Sequence, residues 1–208
     1  MTKILCFGDS ITFGYMPGGV GRFGAGERYA GLLPALLGTG CSVFEDGVCG
    51  RSVLCGGCNF TDWHGDTVRL TADVQDFAAD IVVLQLGSND CLNFCEKDAD
   101  QIAGGMADLV LAASGVKPAI RAILCAPPAL RRGTLCVWDG VCERSISVSA
   151  ALPDAYKRTA AALGCGFVDG NAAGPADPAD GLHLNAAGHR RLAELLAAAV
   201  KNIEFAAL

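Results

Sequence analysis

Four short polar stretches of the chain carry residue types suited to acyl transfer: GDS at 8–10, EDGVCGRS at 45–52, LGSND at 86–90 and DPADGLHLN at 177–185. Ser10 is the candidate nucleophile. A serine hydroxyl attacks poorly until a base takes its proton, and His183 is the best-placed base in the sequence. Asp180 stands three residues before it. That spacing brings both side chains to one side of a turn, where the carboxylate can hold the ring by its other nitrogen and favour the tautomer that accepts from serine. Asp177, six residues before His183, is the nearest rival for this role. The backbone N–H groups of Ser10 and Gly47 and the side-chain amide of Asn89 are candidate donors to the negative oxygen of a tetrahedral intermediate. A glycine suits that place because no side chain hides its N–H.

Each of these residues also has a plainer reading. Ser10 could cap a turn, Asn89 could be a turn residue, and Asp9 and Asp90 are expected to support their own loops by local hydrogen bonds. His64 has no obvious acidic partner, and His189, followed by two arginines, reads as a surface or packing residue. The case for chemistry rests on the combination and on where each stretch falls along the chain.

Apolar, strand-like runs occupy residues 3–8, 41–45, 80–86, 119–125 and 165–168, and helical patterns occupy 28–38, 67–79, 98–114, 149–163 and 186–200. Pro34 and Pro153 weaken the first and fourth helices, since an internal proline kinks or ends a helix. Alternation of strand and helix argues for a parallel sheet with helices on both faces, and a run such as IVVLQL suits burial on both sides. All four polar stretches follow strands, so they meet at the carboxyl end of the sheet, where open α/β sheets bind ligands. With strand order 2-1-3-4-5, Ser10, Gly47 and Asn89 are neighbours. His183, beyond the edge strand, must then cross roughly 10 Å or more to reach Ser10. The 14 residues from Asp169 to Leu182 can make that span.

The chain has 208 residues, of which 51% are hydrophobic and 18% charged, with a formal net charge of −6. Residues 1–208 are expected to form one domain. The acidic balance, without clustered Lys and Arg, argues against a nucleic-acid surface. No run approaches the roughly 18 apolar residues of a membrane span. With the first strand starting at Lys3, a signal peptide is not expected, and the reading is a soluble, cytoplasmic protein. The apolar composition suits either a large core or a subunit surface buried in a homo-oligomer.

Eleven cysteines are present. Cys6, Cys41, Cys125 and Cys165 lie in or beside apolar runs, where a free thiol behaves as a small hydrophobe. CGGC at 55–58 could be a redox pair or half a zinc site, with Cys91, Cys95 and His64 as helpers, so a thiol or zinc-binding module centred on Cys55 and Cys58 is the reading from a different class. Reduced loop thiols are the plainer alternative.

The segments FGDSITFGY, DGVCGR, LGSND and DGLHLNAAGH resemble the four motif blocks of the SGNH (GDSL-type) hydrolase family, in order and spacing, and most of all its arylesterase-like, small-acyl branch. The resemblance implies a flavodoxin-like, three-layer α/β/α fold and metal-free ester hydrolysis, with Ser10, Asp180 and His183 as the triad and Ser10, Gly47 and Asn89 as the oxyanion hole. No cofactor is expected. Two departures stand out: Asp46 where the family often has Asn, and GRSV where GRTT is common. Asp46 would bring a negative charge near the oxyanion hole unless paired, with Arg51 the candidate partner. The G-x-S-x-G elbow of α/β-hydrolases is absent. Phe13, Phe60, Trp63, Phe94 and Trp138 could line the substrate pocket. Since no long apolar lid is visible, short acyl groups such as acetyl are expected over fatty chains. The same residues would serve an acyltransferase, in which an alcohol replaces water.

Overall fold

The computed structural model describes residues 1–19, 21–55, 66–134 and 141–205. Five parallel strands form the sheet: β1 (Thr2–Gly8), β2 (Cys41–Gly47), β3 (Ile81–Gln85), β4 (Arg121–Ala126) and β5 (Gly166–Asp169), in the order β2-β1-β3-β4-β5. Burial on both faces explains the unbroken apolar runs. Alternate residues of β1 divide between two cores, as the two-residue period of a strand requires. Leu5 and Phe7, with Val82 and Leu84 of β3, pack under α3 (Thr67–Phe77), α4 (Ala99–Val116) and α5 (Glu143–Leu163). Ile4 and Cys6, with Ile81 and Val83, pack under α2 (Tyr29–Leu37) and α6 (Ala186–Phe205). The result is three layers, α/β/α.

Both prolines lie inside helices, Pro34 in α2 and Pro153 in α5. Each removes one backbone hydrogen bond, a cost of about 3 kcal/mol in a helix interior. In α5 the burial of Leu152, Ala155, Tyr156 and Ala160 on one face outweighs it. This helix also starts six residues earlier than its apolar pattern predicts. Cys142 and Ser145 cap its first turn, and Arg144 donates to Cys95 O and Lys97 O, tying that turn to the loop after β3. Polar residues thus extend the helix where hydrophobic periodicity is silent.

The strand ends are level where it matters. Gly8 is in register with Gly47 on one side and with Gln85 on the other. The segments that follow β1, β2 and β3 therefore leave the sheet side by side. Among the described residues no helix is long and apolar enough to cross a membrane.

Candidate active site

Ser10 opens α1 (Ser10–Phe13), a single turn that follows directly on β1. The Asp9 carboxylate caps it, accepting from Ile11 N at 2.9 Å, and so supports its own turn as expected. Burial drives the Asp9 carboxyl up to about 6, against the pull of that hydrogen bond and of the nearby Ser88 hydroxyl. Thr12 anchors the turn from below through Tyr29 Oη at 2.7 Å and Gln85 Oε1 at 3.1 Å.

The loop after β5 brings His183 across the sheet to Ser10. Its Nε2 lies 2.9 Å from Ser10 Oγ, and its Nδ1 lies 2.8 Å from Asp180 Oδ2. Asp180 is gripped from several sides: Oδ1 accepts from Leu182 N and His183 N, each at 3.0 Å, and Oδ2 accepts from Gly18 N at 3.0 Å. Burial alone would raise this carboxyl, but the bonds from the His183 ring and the two backbone N–H groups outweigh it and hold it far below the usual range. An ionised Asp180 can only accept. Nδ1 is then the protonated ring nitrogen, and Nε2 is left to accept from the serine hydroxyl.

The span itself leans on the loop after β4. Arg131 N donates to Gly181 O, and Thr134 N to Pro178 O. Gly181 has φ +72, and a Cβ there would run into Arg131 O, so this crossing needs glycine. Asp177 accepts from Ala179 N and Asn185 Nδ2, holding the turn rather than the imidazole. The Tyr15 ring lies against the His183 ring, 4.8 Å between centroids. His189 is fully buried, accepting from Tyr29 N and packed edge-on against Phe23; of its two expected places, surface or packing, it takes the second. Burial pushes it down to about 4.

On the other side of Ser10, Gly47 ends β2 so close to α1 that a Cβ would overlap Phe13 N and the Thr12 carbonyl carbon. Only glycine lets the two segments approach. Asn89 begins the turn after β3, and its Nδ2 donates to Arg51 O at 2.9 Å. The negative charge of Asp46 is matched: Arg51 Nη2 lies 3.3 Å and Arg69 Nε 2.9 Å from its carboxylate. Burial raises the Asp46 carboxyl, but a hydrogen bond with Asp73 and the two arginines hold it below its ordinary value, and Asp73, buried beside it, is pushed up. Two carboxyls that close oppose each other's ionisation, and the cost falls on Asp73.

Asp90 bonds its own backbone N–H, as expected, but reaches further than its own loop. Its carboxylate accepts from Val53, Leu54 and Cys55 N–H, clamping the neighbouring loop after β2. Cys55 is not a reduced loop thiol either: it is disulfide-bonded to Cys95. Cys55, Asp90 and Cys95 do gather in one place. With the two sulfurs bonded to each other and the carboxylate filled by N–H donors, that cluster is a clamp and not a set of metal ligands. Cys58, like Phe60, Trp63, His64 and Trp138, lies outside the described residues. Phe94 is half exposed, and one face of the Phe13 ring is covered by the Arg22 guanidinium.

Sequence reasoning passed over the Gly18 N–H on Asp180, the Tyr15 ring on His183 and most of what Arg51 does. The last had a signal: one arginine in the otherwise uncharged stretch GVCGRSVLC. A charge in such a run is buried and paired, or the run is not buried.

The model of the GDSL-like lipase/acylhydrolase family matches residues 6–191. Among solved structures the chain is similar to Est24, a carbohydrate acetylesterase from Sinorhizobium meliloti, at 28% identity and TM-score 0.89, covering 98% of this chain and 100% of that one. It is similar also to an aryl esterase of M. smegmatis, at 25% identity and TM-score 0.86, covering 97% and 99%. Among curated proteins none matches. A serine turn, a histidine and an ionised aspartate in contact at the carboxyl end of this sheet, and a family match along most of the sequence, lead to one conclusion: the chain belongs to the GDSL-like lipase/acylhydrolase family and is an ester-bond hydrolase.

Proposed function

We propose that the protein hydrolyses short-acyl, acetyl-type esters through an acyl-enzyme on Ser10. The observation that carries this reading is the unbroken line Asp180–His183–Ser10, with contacts of 2.8 and 2.9 Å. Ser10 Oγ attacks the ester carbonyl while its proton passes to His183 Nε2. The carbonyl oxygen becomes negative and is met by Ser10 N–H, Gly47 N–H and the Asn89 amide. The leaving alcohol departs with the proton from His183, and the acyl group stays on Ser10. Water then enters, gives a proton to His183 and attacks the acyl carbon; the bond from that carbon to Ser10 Oγ breaks, Oγ takes the proton back from His183, and the acid is released. Asp180, ionised throughout, holds the ring and balances its charge each time it becomes cationic.

The neighbours that act on acetylated carbohydrates and aryl esters support small acyl groups here. Residues 1–208 act as one domain in this proposal. A cytoplasmic location belongs to it too, and cell fractionation tests that; the Cys55–Cys95 disulfide is the feature that favours an oxidising compartment instead. The substrate class is tested by kcat/KM on p-nitrophenyl esters of rising chain length beside acetylated sugars. The proposal expects a maximum at acetyl or propionyl and a fall of at least tenfold by octanoyl. A maximum at octanoyl or longer contradicts it.

A further inference from the structure

We infer that Arg51 is the positioning residue of the oxyanion hole, fixing two of its three donors at once. This rests on the reading of Ser10, Gly47 and Asn89 given above. Arg51 is only 1% exposed, and its place is not explained by the charges around it alone. Its Nη1 donates to Asp46 O at 2.7 Å and to Gly8 O at 3.0 Å. The Asp46 carbonyl and the Gly47 N–H belong to one peptide unit, which is planar and rigid. A cation bonded to that carbonyl therefore sets the direction of the Gly47 N–H and draws electron density from it, making it a better donor. Through Gly8 O the same nitrogen ties the end of β1, just before Ser10, to the end of β2.

The second donor is held by the backbone of the same residue. Asn89 Nδ2 donates to Arg51 O at 2.9 Å, and Arg51 N donates to Val48 O at 3.1 Å. A side-chain amide is planar, so one hydrogen bond from its nitrogen fixes the line of the other N–H. The guanidinium in turn is held by Asp46 at 3.3 Å, by Asp66 at 3.0 Å and by the Phe7 ring, 3.9 Å from its central carbon. Those contacts keep a buried cation close to neutral overall and locked in place. Lysine cannot reproduce this fork, since it is a single point donor.

The test compares wild type with Arg51→Lys and Arg51→Met, counting competent sites by titration with a fluorophosphonate. Steady-state rates on p-nitrophenyl acetate are read with inhibition by a small alkylboronic acid, whose tetrahedral adduct on serine places an oxygen in the hole. Arg51→Lys keeps the buried charge and so folds even where Arg51→Met does not. The inference expects kcat per competent site to fall about 10-fold for Arg51→Lys and about 100-fold for Arg51→Met. KM should stay within about threefold, and boronate inhibition should weaken in parallel with kcat. A folded Arg51→Lys with wild-type kcat per site and wild-type boronate inhibition overturns it, as does a loss confined to KM or to the fraction of competent sites. If boronate and fluorophosphonate fail on the wild type itself, the reading of Ser10 fails rather than the role of Arg51.

Discussion

Asp180 reaches the His183 ring across three residues of chain, whereas Asn89 reaches Arg51 O across 38 and Asp90 reaches Val53 N across 37. The two sides of Ser10 are thus built differently. On the histidine side, a tight turn makes most of its own bonds, with help from Gly18 and the loop after β4. On the side of the proposed oxyanion hole, the loops after β2 and β3 are fastened to each other by Arg51, the Asp90 clamp and the Cys55–Cys95 disulfide. Local bonds form wherever the sequence has the right spacing. Long-range bonds depend on the whole sheet being assembled first.

Substitutions should expose that difference, most of all at the reacting groups. Ser10→Ala and His183→Ala should each lower kcat/KM on p-nitrophenyl acetate by about 10⁴-fold or more, and the double variant should cost no more than either alone, because they act as a unit. Additive losses would show that the two sides of the contact work separately. On the side of the proposed oxyanion hole, Asn89→Ala removes one of three proposed donors and should lower kcat by about 100- to 1000-fold with little change in KM. Stopped-flow or steady-state rates on the same ester decide it.

Stability separates the sides further. Reduction of Cys55–Cys95, whose partners are 40 residues apart, should destabilise the protein by about 4 kcal/mol if chain entropy dominates. The melting temperature of the wild type should fall with a dithiol reductant, and that of Cys95→Ser should not respond. The smallest effect is expected at Asp9. Its carboxyl stands at about 6 in the fold against an ordinary value of 3.8. Below 3.8 both states are protonated. Between the two values the folded state keeps the proton that the unfolded state loses, so stability falls as pH rises, and the deficit is complete above 6. Asp9→Asn should flatten the melting temperature between pH 4 and 6 and raise it at pH 8, by about 1–3 kcal/mol in stability. An unchanged slope would mean the group is not buried as described.

The same contrast explains what could be read from the sequence. DGLH carries its own geometry, and strand periodicity located the five strands, but the order that sets β1, β2 and β3 side by side was supposed, in keeping with the fold that the family resemblance implies, and not read from the periodicity. The longer reach of Asp90 was not legible, because a turn aspartate looks alike whether it bonds its own loop alone or the next one as well. Cys95 was grouped with Cys55 only as a helper to a metal site; their covalent pairing was not legible, since it follows from how two loops lie together and spacing alone does not encode it. The early start of α5 was hidden for the same reason: Arg144 is fixed by carbonyls 47 and 49 residues away.

The most direct test of the account is to trap the acyl-enzyme. Acid-quenching the enzyme during turnover of p-nitrophenyl acetate and mapping peptides by mass spectrometry should find one acetyl group on Ser10, absent from Ser10→Ala. An acetyl group on another residue, or steady turnover by a folded Ser10→Ala, would contradict it.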